Sequence, residues 1–167
     1  MSCVTGFMLM LTSAIAGADS TSIESRLRAD SNLSLFTKAM DIAHYWEQLA
    51  AHESITLFIP TDQAMAVEGS DFLLKSVLMT RENRQRLEAL VSAHMVVGAE
   101  ALGFDEGTTT LLTESGECLQ IAQVGDATRV GLEARVLSDE KVAGARLLTI
   151  DRLLIPDYRS AQECSGE

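Results

Sequence analysis

Proline is nearly missing from this chain: 167 residues hold two, Pro60 and Pro156, and no linker or low-complexity run interrupts the interior. Cysteine is almost as scarce. Cys3, Cys118 and Cys164 are too few for a disulfide scaffold and lack the C-x-x-C spacing of zinc or redox sites. One bridge can form within the folded part, Cys118 to Cys164; free or partly buried thiols are the alternative. Basic residues are outnumbered, 13 against 24 acidic, for a net charge of -11 and a pI near 4.6. That balance argues against a nucleic-acid backbone or an anionic lipid surface as the main partner, because both need clustered Lys and Arg. Signatures of catalysis are missing as well: there is no G-x-S-x-G elbow, P-loop, dinucleotide fingerprint or H-E-x-x-H, and no cysteine stands beside an obvious base. No enzyme, cofactor or metal site is expected.

What is present is a chain 47% hydrophobic, enough to bury one proper core as one domain with tails. The sequence divides into an apolar segment 1–18, a domain over 19–157 and a polar tail 158–167. The first eighteen residues, MSCVTGFMLMLTSAIAGA, carry no charge. They resemble the apolar and cleavage regions of an export signal without its basic start. As a membrane span the segment is marginal, since a hydrocarbon core needs about 20 apolar residues. A tilted or interface-bound anchor is the other reading.

Beyond Ser22 the pattern alternates between helical and extended. One helix is predicted over Leu35–Ala51, with Phe36, Met40, Ala43, Leu49 and Ala50 on one stripe and Asn32 or Ser34 to cap it. In SITLFIPTDQAMA (54–66), Ile55–Ile59 reads as a buried strand that Pro60 closes, because proline donates no ladder hydrogen bond. Thr61 offers a cap to the next helix, and Asp62 sits where the helix dipole favours a carboxylate. Ser70 and Thr80 look like caps of two further helices, carrying Leu73, Leu74, Val77 and Leu78, then Leu87, Leu90 and Val91. From His94 onward strands take over: HMVVG, TTTLL, ECLQIAQV, TRVGLEARVL and ARLLTIDRLLIP, with turns at Gly98, Gly107, Gly116, Gly125 and Gly144. Helices early and strands late make an α+β domain.

Three of these segments, TLFIPTDQAM (56–65), ALVSAHMVVG (89–98) and LLTIDRLLIP (147–156), together resemble the fasciclin, or FAS1, domain family. Its members share a Phe-x-Pro-Thr-Asp/Asn-x-Ala corner, a helix running into Tyr-His-(hydrophobic)-Val-x-Gly, and a closing Ile-Asp-x-(Leu/Val)-Leu-x-Pro. The resemblance covers about Ile23 to Pro156. It implies a wedge-shaped β-sandwich flanked by helices in the N-terminal half, and non-catalytic, extracytoplasmic binding or adhesion through protein or carbohydrate contacts. Phe58, Pro60, Thr61, Asp62 and Ala64 match the corner, His94 and Gly98 the second motif, Asp151 and Pro156 the third. The departure is Ala93, where the family usually has tyrosine; the integrin contact proposed for that tyrosine-histidine region in some animal members is not carried over.

The bland reading of each residue is structural. His94 enters a strand among apolar neighbours, where a hydrogen-bonded core histidine outweighs a ligand or proton switch. Asp151 lies between apolar residues, so its carboxylate must be bonded or paired, with backbone amides near the first corner as candidate partners. His44 and His52, on a helix and its exit, have too few neighbouring carboxylates for a metal site. Asp105-Glu106 and Asp139-Glu140 read as solvated charge in glycine-bounded turns.

Two functions from different classes follow. One is an adhesion module, secreted, periplasmic, on the cell surface or in an organelle lumen, whose firmness would come from multivalency. The alternative is an accessory lumenal or periplasmic subunit of a respiratory or photosynthetic membrane complex, tethered by residues 1–18. Oligomeric state is open. Phe104, in the acidic connection AEALGFDEG (99–107), is the candidate interface anchor, against the alternative that it folds back onto the sandwich. Phe104→Ala separates the two: an anchor loses partner binding with its thermal midpoint unchanged, whereas a packed ring loses stability with binding intact.

Overall fold

The computed structural model describes residues 19–67, 81–98 and 107–154. Helix α1 (Ser20–Ala29) starts where the Asp19 carboxylate accepts the Thr21 backbone N–H at 3.1 Å, and it buries Ile23 and Leu27, one turn apart. A 3-10 turn (Ser31–Leu33) leads into α2 (Ser34–Ala43), which buries Phe36, Thr37, Ala39, Met40 and Ala43.

The single helix expected over Leu35–Ala51 is two. His44 takes a left-handed conformation, φ 53°, and the Tyr45 N–H reaches back to the Met40 carbonyl at 3.0 Å. That bond closes a Schellman-type cap. A short α3 (Trp46–Leu49) follows in a new direction, with Leu49 buried but Ala50 exposed, so Ala50 leaves the predicted stripe. The expected caps also differ. Neither Asn32 nor Ser34 caps α2; the side chain of Asp62, from the next corner, accepts the Leu35 N–H at 2.8 Å and the Ser34 hydroxyl at 2.6 Å.

Strand β1 (Ile55–Pro60) is buried at every position, and α4 (Asp62–Val67) follows it, its Ala64 N–H bonded to the Thr61 hydroxyl at 3.1 Å. Helix α5 (Arg81–Ala93) buries Leu87 and Val91. The remaining strands are β2 (Met95–Val97), β3 (Thr108–Leu112), β4 (Cys118–Val124), β5 (Ala127–Val130), β6 (Ala134–Val142) and β7 (Ala145–Ile150). The run TRVGLEARVL is therefore two strands, parted by a turn at 131–133 in which Gly131 has φ 62°. Asp139 and Glu140, expected in a turn, lie on β6, where strand pairing leaves their side chains free to meet Arg146 (2.6 Å) and Arg26 (2.8 Å). The predicted cap residues Ser70 and Thr80 and the helix carrying Leu73 to Leu78 lie outside the described residues, as do Phe104 and Pro156.

The seven strands run in the order β2-β1-β7-β6-β5-β4-β3. All pairings are antiparallel except β1 with β7, which is parallel from Ile55 opposite Ala145 to Pro60 opposite Ile150. β6 is shared: its start pairs with β5, its length with β7, and a register shift between Val136 and Ser138 bends it. The sheet thus curls over itself into a sandwich-like wedge, and β1 and β7 acquire a core on each face. One core joins Ile55, Leu57, Ile59 and Leu147 to Phe36, Met40, Leu49 and Val91 of the helices. The other joins Phe58, Leu148 and Ile150 to Leu119, Ile121 and Val130 of β4 and β5. Alternation along β1 and β7 is why both faces must be apolar.

The left-handed break offers a stability test. Glycine meets φ 53° without the Cβ strain of histidine, so His44→Gly should raise unfolding free energy by about 0.5–1 kcal/mol, read from the urea midpoint.

Candidate functional site

The corner after β1 is built from local chemistry. Pro60 ends the strand in register with Ile150, the Thr61 hydroxyl caps α4, and the Thr61 N–H donates to the Ile150 carbonyl at 3.1 Å. Asp62 stands at the start of α4, as the dipole argument expects, and also holds the first turn of α2. Phe58 and Ala64 are buried beside it.

His94, at the end of α5, is fully buried. Its Nδ1 lies 2.7 Å from the Leu90 carbonyl, and its Nε2 accepts the Leu154 N–H at 3.0 Å. These two partners select the neutral tautomer protonated at Nδ1, since a carbonyl can only accept and an N–H only donate. Burial pulls its pKa down to about 4, against a smaller opposing effect of the Leu90 carbonyl. The backbone carbonyl of His94 accepts the Phe58 N–H at 2.8 Å, and the Phe36 ring stands 5.5 Å from the imidazole. Gly98, the other residue singled out in that motif, has φ 74° and donates to the Ser54 carbonyl at 2.9 Å.

Asp151 does have bonded partners, but not at the first corner. Its carboxylate accepts the Arg135 N–H at 2.7 Å and the Arg135 Nε at 2.9 Å, both from the start of β6. Partial burial alone would raise this pKa; the Arg135 backbone N–H and guanidinium, with the Arg152 charge, outweigh it and hold the group below its usual range.

The three motif segments therefore touch: β1 bonds to His94 through Phe58, and the corner bonds to the closing segment through Ile150. Beside the contact of the first and third segments, an open groove of about 630 Å³ runs between the 3-10 turn, the corner, β6 and the end of β7. Its carboxylates are committed: Asp30 to Asn32, Asp62 to α2, Asp151 to Arg135. The side chains of Gln63, Ser138 and Thr149 line it without a hydrogen bond among the described residues, next to an exposed Leu137. Such a lining can donate to and accept from a polar surface. Asp151 is shifted toward a stronger acid, the opposite of what a general acid requires. Among the described residues no His, Cys, Asp and Glu converge in a metal-binding group.

One cluster has no signal in the sequence. The buried Tyr45 donates its hydroxyl to the Glu114 carboxylate, and His52 Nε2 lies 3.4 Å from the same group, whose pKa is raised by burial. It ties the end of the helical layer to the turn after β3 across 69 positions. His44, exposed on the left-handed cap, bonds to none of these three side chains. Cys118 is disulfide-bonded, so the free-thiol reading does not hold for it.

The family model for the Fasciclin domain matches residues 31–156, and the chain belongs to that family. Human periostin is 27% identical over 137 residues, which are 81% of this chain but 16% of periostin. A FAS1 domain pair from the insect cell adhesion molecule fasciclin I superposes with a TM-score of 0.67 at 15% identity, covering 81% of this chain and 51% of that one. The second likeness concerns the fold, and the chain spans only part of either relative.

The buried histidine gives this site a pH signature. With a folded pKa of about 4 against 6.5 unfolded, the unfolded chain binds the extra proton between those values. Stability is therefore full above pH 6.5 and falls as pH drops toward 4, by about 3 kcal/mol in all. His94→Ala should cost a few kcal/mol at pH 7 and flatten the profile in that window, as followed by urea unfolding from pH 4 to 7.

Proposed function

We propose that residues 19–157 form a non-catalytic, extracytoplasmic binding module that contacts a protein or a carbohydrate. The observation that carries this reading is how the motif residues are used. Thr61, Asp62, His94 and Asp151 are all engaged in holding segments of the fold together. Among the described residues the surface leaves a corner groove available, and its uncommitted groups are neutral hydroxyls and an amide. Recognition through such groups, without a poised nucleophile or base, is binding chemistry. Family membership supports it, as does the naming of fasciclin I as a cell adhesion molecule.

The disulfide at Cys118 supports an oxidising compartment. Residues 1–18 serve in this reading as an export signal, and no described helix is long and apolar enough to cross a membrane.

Intact mass and native migration, measured on protein from both the soluble extracytoplasmic fraction and the membranes, test the proposal. The expected outcome is a small soluble species lacking about the first eighteen residues, with Cys118 alkylated only after reduction. A full-length chain inside a large membrane-bound band would instead favour the accessory-subunit reading.

A further inference from the structure

Strand β3 is one end of the seven-stranded sheet. Its hydrogen-bond phase can be read from its ends: the Thr113 N–H donates to Glu117 and the Gln123 N–H to Gly107. With Leu111 opposite Leu119 and Thr109 opposite Ile121, the odd-numbered residues bond inward to β4. The backbone N–H and C=O of Thr108, Thr110 and Leu112 therefore point outward, past the last strand.

Among the described residues this edge has none of the usual protections. Its sequence is TTTLL, without a charge, a proline or a register shift. Four of its five residues are exposed, Leu112 at 52%. The opposite edge is guarded differently, since β2 has three residues and buries Met95 and Val96. An uncharged edge is also out of character for a chain of net charge -11.

We infer that β3 is a self-association edge whose occupant is β3 of a second copy, paired antiparallel about a twofold axis at Thr110. In that register Thr110 faces its own counterpart and Thr108 faces Leu112, so the outward groups of each copy meet complementary groups of the other. Every pair exchanges two backbone hydrogen bonds. Side chains on the shared outer face are then threonine against threonine and threonine against leucine, favourable cross-strand neighbours. Between two acidic molecules this neutral strip is where close approach meets least repulsion. The inference is independent of what the corner groove binds.

Two acidic copies repel at long range, so the dimer should tighten as salt rises from about 20 to about 200 mM, opposite to a contact held by ion pairs. Sedimentation velocity of the full chain over a concentration series at both salts tests this. The expected result is a reversible dimer, tighter at high salt, whose Kd rises about tenfold or more in T110P, while T110V, which keeps the N–H, and L132K, on the turn where Leu132 is 84% exposed, leave it unchanged. Thermal unfolding checks that T110P is folded, as edge placement predicts. Hydrogen exchange of the unmutated chain gives a second readout: the amides of Thr108, Thr110 and Leu112 should gain protection as concentration rises. A chain that stays monomeric to about 1 mM overturns the inference, as does a dimer indifferent to T110P. Protection of these amides that does not depend on concentration would mean that the chain covers its own edge, and would also overturn it.

Discussion

The parallel pairing of β1 with β7 is the constraint on which everything else depends. It sets Ile55–Pro60 against Ala145–Ile150 with both strands buried, one face on the helices and the other on β4 and β5. Neither core exists without it. It also carries the corner to the closing segment, so that Thr61 can bond Ile150 and Asp151 can turn back to Arg135. His94 then locks the same junction from the helical side, joining α5 to Leu154 while its carbonyl holds β1. A buried imidazole can do this only while neutral, which burial ensures.

The polar residues of the motifs thus divide between two tasks. Those with buried or backbone partners connect elements far apart in sequence, and each loses its alternatives by doing so. Gln63 and Thr149, left with free hydrogen-bonding capacity among the described residues, line the groove beside Ser138 of β6 rather than sitting in the lock. A fold that spends its most distinctive side chains on closure leaves recognition to its surfaces, where neighbouring positions can vary without cost to the core.

Much of this was legible in the sequence wherever the cause is local. The strand stop at Pro60, the cap at Thr61 and the bonded state of His94 follow from residue types and immediate neighbours. What was not legible is pairing across distance. Asp62 caps α2 from 27 positions away, Asp151 chooses Arg135, and Tyr45 finds Glu114; no spacing rule announces such partners. The break at His44 escapes for another reason, because neither glycine nor proline marks it and the apolar stripe continues past it. At 131–133 the alternation of apolar residues persists through the turn and hides it. Helix caps near Ser70 and Thr80, and the setting of Phe104, lie outside the described residues.

The β1–β7 register has a consequence for how the molecule comes into being. Its partners stand ninety positions apart, residue 55 against residue 145, so the loop that this pairing closes is most of the domain. Closing it costs chain entropy before any contact across it is gained. A nascent chain that has released β1 but not yet β7 has helices that can pack only on one another and on β1, and a central strand with one short neighbour. Its apolar strands remain open until nearly the last of the domain is made. Such a polypeptide reaches its native state all at once and late, and the interval before that is when it is most exposed to wrong partners.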